Sequence, residues 1–348
     1  MKIYSHKKTE SLKVNARISV SKPIILISMA IAVWITWLSL LGGKEAFSYL
    51  SEYWQIAVTM VLGSAIAGGT SLGGGAVAFP IFTKILHIPP QDAKIFALAI
   101  QSVGMTAASV AICLTGIQVE WRVIRWGSLG GFLGIFLGSG LLAPILPPDV
   151  IKMSFTVLLT SFAITLFALN RTARNPNFTI PAWTIREQGI VLLAGLLGGI
   201  MSGLAGNGID ICLFSVMVLL FRLCEKVATP TSVILMAINA LVGFGLQVFV
   251  FQDFTDPVRS YWFAAIPVVV VGAPLGAMFC NLLRRETIAN ILISLIFIEL
   301  ISSLLLIPLR AIAIFSSLIA LVIFSYLNYW MYRHPLIPKK IVEAKCKP

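Results

Sequence analysis

The chain has 348 residues, of which 58% are hydrophobic and 11% charged, and its mean hydropathy is +0.94. Soluble domains carry about 25% charged residues, so this composition excludes a soluble domain and predicts an all-α polytopic membrane protein. The net charge of +12 does not indicate nucleic-acid binding, because Lys and Arg lie mostly in the tails and short loops, as in the cytoplasmic segments of membrane proteins.

Apolar segments follow one another along the chain after a basic tail at 1–22. The first is predicted to be a retained transmembrane helix rather than a cleaved signal peptide, because the basic region is long and more apolar segments follow immediately. The segments lie at about 23–41, 54–70, 75–86, 93–116, 127–146, 150–169, 187–206, 209–222, 228–251, 260–281, 287–307 and 310–331.

Two of these segments, 75–86 and 209–222, are too short to cross a membrane. They reach about 18–21 Å against a hydrocarbon core of ~30 Å. Each follows a glycine-rich break, so each is predicted to form a re-entrant hairpin with the segment before it. Eight full spans remain, but charge does not distinguish this arrangement from twelve short crossings, and both stay open.

Basic residues predict the orientation in the membrane. Clusters of two or more all fall on one face, which the positive-inside rule assigns to the cytoplasm. Both termini are therefore expected in the cytoplasm of a bacterial cell with the chain in its inner membrane. The clusters lie at 1–22, at Arg122 and Arg125, at Arg171 and Arg174, at Arg222 and Lys226, at Arg284 and Arg285, and at 333–347.

The unit of one hairpin and three spans occurs twice, at 54–170 and 187–307. Because three is an odd number of spans, the two copies are predicted to be inverted repeats. At an offset of 135 residues, Gly63, Gly68, Gly73, Phe79 and Ala93 align with Gly198, Gly203, Gly208, Phe214 and Ala228. The predicted organisation is a cytoplasmic tail at 1–22, a first helix and outer loop at 23–53, the first repeat, a linker at 171–186, the second repeat, and a last helix with a cytoplasmic tail at 308–348.

The glycine-rich breaks predict the substrate site. Irregular backbone at membrane depth is tolerated where it lines a cavity, and transporters with inverted repeats place broken helices around the substrate. A helix that starts at such a break directs free backbone N–H groups towards an anion. The predicted binding residues are Thr70, Ser71, Gly73, Gly74 and Gly75 from one half and Asn207, Gly208 and Asp210 from the other, with Gln101, Ser102 and Asn239 as second-line candidates.

The same stretches carry a family resemblance. The pattern Gly68-x-x-Ser71-x-Gly73-Gly74-Gly75-x4-Pro80, repeated less closely from Gly203 to Ser215, resembles the TauE/SafE family of sulfite and organosulfonate exporters. The family pattern is similar to G-x-x-G-x-G-G-G-x4-P followed by A-x-x-T-S, and the likeness covers roughly residues 50–310. The second copy departs from it, with Ile209 and Asp210 at the last two glycine positions and Ser215 at the proline. The resemblance implies transport of a small sulfur-containing anion or a related carboxylate.

Other classes of protein fit the residues less well. A membrane enzyme would need clustered catalytic side chains, whereas His87 is isolated and Ser71 has no base near it in sequence, so no catalytic residue is expected. Neither a metal nor a cofactor is expected, because the five cysteines show no CxxC or Cys/His spacing. A passive anion channel and a non-transporting assembly subunit stay open. The expected partners are a small anion and the lipid bilayer, with protons and a second copy of the chain left open.

Four ionisable residues lie within or near the predicted spans. Lys84 and Lys94 lie near the predicted outer boundary and are interpreted as interfacial anchors. Glu299 is interpreted as one half of a structural pair, although an intramembrane acid is by default a functional candidate. Asp210 has two interpretations. It caps the helix that follows it, or it couples protons to anion movement, because burial and a bound anion both favour a neutral carboxyl group.

A third group of glycines, from Gly130 to Gly140, is predicted to pack helices closely together. Its spacing, with glycines at 130, 131, 134, 138 and 140, is typical of helix–helix seams in membranes.

Overall fold

The computed structural model describes residues 24–73, 81–171, 176–306 and 310–336. Within these ranges the chain forms twelve α-helices and no strand beyond an isolated bridge between Asn177 and Leu223. The helices are α1 (Ile24–Leu41), α2 (Gly43–Glu52), α3 (Trp54–Gly69), α4 (Pro90–Thr115), α5 (Trp121–Leu137), α6 (Pro148–Asn170), α7 (Ile185–Ala205), α8 (Ile209–Ser215), α9 (Glu225–Gly245), α10 (Val258–Leu282), α11 (Arg285–Leu306) and α12 (Ala311–Arg333).

Eight of these helices are long and apolar enough to cross a membrane, so the predicted fold class, an all-α polytopic membrane protein, is confirmed. They are α1, α4, α6, α7, α9 with its π-helical end, α10, α11 and α12. These eight helices are not the same eight segments that were predicted to be full spans. Helix α7, predicted as a hairpin limb, has 21 residues and is long enough to cross at about 1.5 Å per residue. The glycine-rich α5 has 17 residues and is not among the eight.

Short π-helical turns continue or precede several helices. One turn, Ile81–Ile85, lies before α4, and the others extend α5, α8 and α9. Because π-helical turns often occur at functional sites, their position beside the two breaks matters: Ile81–Ile85 follows the first break, and Val216–Leu220 continues the short helix after the second.

The same local backbone occurs twice, 135 residues apart. Gly73 and Gly208 both have positive φ, at 66° and 151°. His87 and Arg222, which are not glycines, share φ values of 53° and 52° at the ends of the two π-helical turns. The helix after each turn begins at equivalent positions, since α4 starts at Pro90 and α9 at Glu225. That the two halves are inverted in the membrane stays a prediction.

Two glycine seams hold the bundle together. Helix α5 packs on α7, where a Cβ at Gly130 would lie 2.1 Å from the Leu192 oxygen and one at Gly134 would lie 2.1 Å from the Leu196 oxygen. Helix α3 packs on α10, where a Cβ at Gly276 would lie 1.9 Å from the Ala65 oxygen. In both seams backbone meets backbone, so no side chain fits. Each seam joins a helix of one predicted half to a helix of the other.

Other helices pack around the two glycine seams. Helix α1 is tied to α10, because Trp34 and Trp37 donate indole hydrogen bonds to the backbone oxygens of Pro267 and Phe263, both at 2.9 Å. Helix α12 packs on α6, where the Asn328 amide donates to Ser161 Oγ at 2.8 Å. The outer helices expose apolar side chains, as helices in contact with lipid do.

Candidate functional site

The first break follows α3. Thr70 ends the helix with extended backbone, and its hydroxyl donates to the Ile66 oxygen at 2.8 Å while accepting from the Leu72 N–H at 3.4 Å. Gly73 then takes the left-handed conformation, with φ at 66°. The predicted binding residues Gly74 and Gly75 lie outside the described residues.

The second break separates α7 from α8. Gly206 ends α7 with φ at 86°, and Gly208 has φ at 151°, both in the region that favours glycine. The Ile209 N–H donates to Ser202 Oγ at 3.0 Å, and the Gly208 N–H donates to Asp210 Oδ1 at 3.0 Å. Side chains therefore satisfy two of the free N–H groups that a broken helix leaves. The Gly208 bond is the capping role predicted for Asp210.

The two breaks lie against each other. The Asn207 amide donates to the Leu72 backbone oxygen at 3.4 Å, which joins equivalent positions of the two predicted halves. A Cβ built on Gly73 would lie 3.4 Å from Asn207 Nδ2 and 3.6 Å from Asp210 Oδ2. The structure thus brings Gly73, Asn207 and Asp210 together at one place inside the bundle, where the buried Asp210 Oδ2 has no hydrogen-bond partner among the described residues.

The other predicted site residues lie in varied surroundings. Ser71 is buried, and its hydroxyl has no hydrogen-bond partner among the described residues. Asn239 is buried beside Gly131, and no described residue bonds to its Oδ1 atom. The Ser102 hydroxyl donates to the Ala99 oxygen of its own helix at 2.7 Å, so it is used locally. Gln101 is buried and lines a cavity.

This central cavity, as we call it, has a volume of about 50 Å³ and lies beside the second break. Its lining is largely apolar, with aromatic rings and methionines. Four polar side chains reach it: Ser64, Gln101, Lys152 and Asn207. Of the predicted site residues, only Gln101 and Asn207 are among them. At roughly 10–15 Å³ per water molecule on this measure, the cavity has room for one small anion.

A second, larger cavity adjoins the first. This outer vestibule has a volume of about 400 Å³ and lies at the ends of α4 and α6, on the face predicted to be outside. Its charged lining residues are Lys94, Lys152 and Asp253. Lys152 and Ala205 line both cavities, so they mark the boundary between the two.

Two lysines line the outer vestibule, a place that the sequence did not predict for either of them. Lys94 was interpreted as an interfacial anchor, but it is partly buried in the wall of the vestibule. Lys152 was not singled out at all, although a lysine inside the predicted span 150–169 is the kind of residue that marks a functional site. Its ammonium pairs with Glu299, which is the structural pairing expected for that acid. The Lys84 side chain lies outside the described residues.

A third cavity, which we call the inner cavity, is much smaller than the other two. It measures about 10 Å³ and is lined by Lys226, Thr229, Asn281 and residues of α3, α4, α10 and α11. Lys226 and Thr229 lie 135 positions after Gln91 and Lys94, which line the open vestibule. The inner cavity therefore occupies the equivalent place in the other predicted half, on the face predicted to be cytoplasmic.

No group of three or more His, Cys, Asp or Glu side chains that could hold a metal ion occurs among the described residues. The four described cysteines, Cys113, Cys212, Cys224 and Cys280, are free thiols.

Comparison with known proteins decides the family. The family model described as "Sulfite exporter TauE/SafE" matches residues 55–303, well over half of the chain. The chain belongs to this family. The TauE/SafE match spans both breaks and all three cavities described above. It implies a membrane transporter of sulfur anions rather than an enzyme. No match was found among curated proteins or among solved structures.

Proposed function

We propose that the protein is a secondary transporter that moves a small anion across the bacterial inner membrane, with both termini in the cytoplasm. The substrate class is sulfite, thiosulfate, a sulfonate or a small carboxylate. One observation carries the proposal: a vestibule with two lysines leads past Lys152 to a small cavity beside the facing helix breaks. Cationic side chains attract anions into such a cleft, where low-dielectric walls strengthen the field.

The binding site in this proposal combines the predicted break residues with the cavity lining. Amide groups of Gln101 and Asn207 and the ammonium of Lys152 would contact the anion from the cavity walls. The two breaks adjoin this cavity through Asn207, whose amide also contacts the first break. The break residues are Thr70, Ser71, Gly73, Gly74, Gly75, Asn207, Gly208 and Asp210, and Asn239 lies one helix layer away beside Gly131.

A carrier is favoured over a passive channel by the contrast between the two end cavities. A channel needs a continuous path, whereas here about 400 Å³ on one face stands against about 10 Å³ at the equivalent place on the other. In transporters built from inverted repeats, one half moves against the other so that access alternates around a fixed site. The small inner cavity would be the exit that widens in the second state.

Proton coupling through Asp210 is part of the proposal. Its Oδ2 atom is buried, has no hydrogen-bond partner within the described part of the chain and lies near Gly73 of the first break, so a proton there would meet a nearby anion. Asp210→Asn tests this, because Asn also caps helices but does not titrate. Coupling predicts that the variant transports without the pH dependence of the wild type. An unchanged pH profile would leave Asp210 as a helix cap alone.

Flux into proteoliposomes tests the function itself. The purified protein is expected to move at least one of sulfite, thiosulfate, taurine-type sulfonates or small carboxylates, measured with and without a proton gradient and a membrane potential. An inside-negative potential favours export of a monovalent anion by about 2.3 kcal/mol per 100 mV, so the direction of net flux should respond to it. Flux that rises linearly with concentration, without saturation, would indicate a channel. No flux of any of these anions would contradict the proposal.

A further inference from the structure

We propose that Lys152 binds the anion on its way from the outer vestibule to the central cavity, and that Glu299 competes with the anion for the Lys152 ammonium. The proposal rests on the anion-transport function above and names the residues that control occupancy of that site. Both residues project from transmembrane helices, Lys152 from α6 and Glu299 from α11.

The position of Lys152 is the first argument. It lines both the outer vestibule and the central cavity, and it is the one charged residue among the described residues that line the central cavity. An anion that passes from one cavity to the other therefore meets this ammonium. Lysine carries a compact point charge on a flexible stem, which suits an ion that must be both held and released.

The surroundings of Glu299 are the second argument. Its side chain is 1% exposed and that of Lys152 is 13% exposed, so the pair is largely withdrawn from water. Oε1 accepts from the Lys152 ammonium and from the Ser303 hydroxyl, the latter at 3.3 Å, and Thr156 donates to Ser303 at 2.9 Å. Oε2 is buried and has no hydrogen-bond partner among the residues that the structure describes. Glu299 is thus held through Oε1, beside a lysine that lines a cavity large enough for an anion.

Electrostatics predicts that Glu299 and the anion compete for the Lys152 ammonium. A carboxylate and a sulfur oxyanion carry like charge and require the same ammonium, so binding of one weakens binding of the other. A buried charge left without a partner is costly, so Glu299 keeps Lys152 compensated when the site is empty. In this arrangement Glu299 is a positioning residue, and it limits anion affinity so that the substrate can leave.

Binding measurements on four variants of the full chain test the proposal. Sulfite and thiosulfate are titrated onto purified protein in lipid nanodiscs by calorimetry, with melting temperature recorded for each variant. Lys152→Gln should weaken binding by about tenfold or more, the loss typical of one charge-assisted hydrogen bond. Glu299→Gln should tighten binding several-fold, because the ammonium no longer has a competing carboxylate.

The double variant, Lys152→Gln with Glu299→Gln, distinguishes a loss of binding from a loss of folding. Removing one partner of a buried pair destabilises a protein, whereas removing both is often neutral. The double variant should therefore melt near the wild type and still bind weakly. Arg259→Gln is the matched control: it removes one positive charge from an exposed pair with Asp256 on the same predicted face, and it should bind like the wild type.

The outcomes separate this inference from the proposed function. If the wild type binds none of the anions, the proposed function fails. If the wild type binds and both the single and the double Lys152 variants bind equally well, Lys152 is not a ligand and the inference is wrong. If Glu299→Gln melts lower without tighter binding, the pair is structural only and the competition is wrong.

Discussion

At the scale of single residues, the second break depends on glycine for both conformation and space. Gly208 has φ at 151°, and a Cβ there would lie 2.6 Å from the Met201 Cβ. Gly206 has φ at 86°, and its Cβ would lie 3.0 Å from the Lys94 oxygen. A side chain at either position would force the break away from α4 and α7.

Gly208→Ala is therefore expected to destabilise the protein by about 1–3 kcal/mol, the usual cost of overpacking together with backbone strain. Thermal unfolding in detergent measures this. Gly189→Ala is the matched control, since Gly189 lies in α7 next to this break, is exposed and has no described atom within 4 Å of its would-be Cβ. Equal melting temperatures for the two variants would contradict the strained geometry at Gly208.

Residues with a local signature were the ones that sequence predicted well. The break glycines and Asp210 stand out because they interrupt an apolar run, and the structure brings Gly73 and Asp210 close together. The place of Lys152 in the walls of two cavities was missed because its surroundings come from residues far along the chain: Glu299, at a separation of 147 residues, and the cavity walls from other helices. No spacing rule connects such positions, although a lysine within a span was a usable signal.

At the scale of helices, small residues determine which helices touch. The predicted packing role is confirmed for Gly130, Gly131, Gly134 and Gly138, each of which would place a Cβ within 2.4 Å of an atom of α7 or α8. Gly140 differs, because its nearest neighbour is a Phe251 ring atom at 3.5 Å, an ordinary contact. The seam with α7 therefore ends before Gly140.

This difference gives a paired test of the seam. Gly134→Ala should lower stability, because its Cβ would lie 2.1 Å from the Leu196 oxygen and 2.8 Å from the Ile200 nitrogen, and backbone atoms cannot yield without separating α5 from α7. Gly140→Ala should leave the melting temperature close to that of the wild type. The expected gap is about 1–3 kcal/mol. If Gly140→Ala were as damaging as Gly134→Ala, the seam would extend further than the structure indicates.

Helix lengths were predicted less well than helix positions. Apolar runs located all the described helices of the bundle apart from the amphipathic α2 (Gly43–Glu52), which carries Lys44, Glu45 and Glu52. Length was uncertain where glycines lower hydropathy without ending a helix, as in α5, and where a helix continues into a glycine-rich stretch, as in α7. Tertiary packing, not the local sequence, determines whether such glycines break a helix or join two helices.

At the scale of the whole molecule, the large vestibule and the small inner cavity define one state of a two-state cycle in our proposal. A cysteine at Gln91, an exposed residue of the vestibule, should react quickly with a membrane-impermeant thiol reagent from the outside. A cysteine at Thr229, which lines the inner cavity and is 2% exposed, should react slowly from the cytoplasmic side.

A saturating transported anion should then speed labelling at position 229 while slowing it at position 91, because the two states exchange access. The control is the labelling rate of the same two variants in chloride alone. Labelling of the wild type, which has only the native cysteines, gives the background signal. Simultaneous fast labelling at both positions would mean that both ends are open together, as in a channel.

The central claim is that a sulfur anion occupies the central cavity, and direct location of a bound anion tests it best. Selenite, the selenium analogue of sulfite, can be located in a crystal of the protein by anomalous scattering. The account predicts one strong selenium peak within hydrogen-bond distance of Lys152, flanked by Asn207 and Gln101, and no such peak in Lys152→Gln. A cavity that stays empty at a selenite concentration that supports transport, or a selenium peak elsewhere in the bundle, would contradict it.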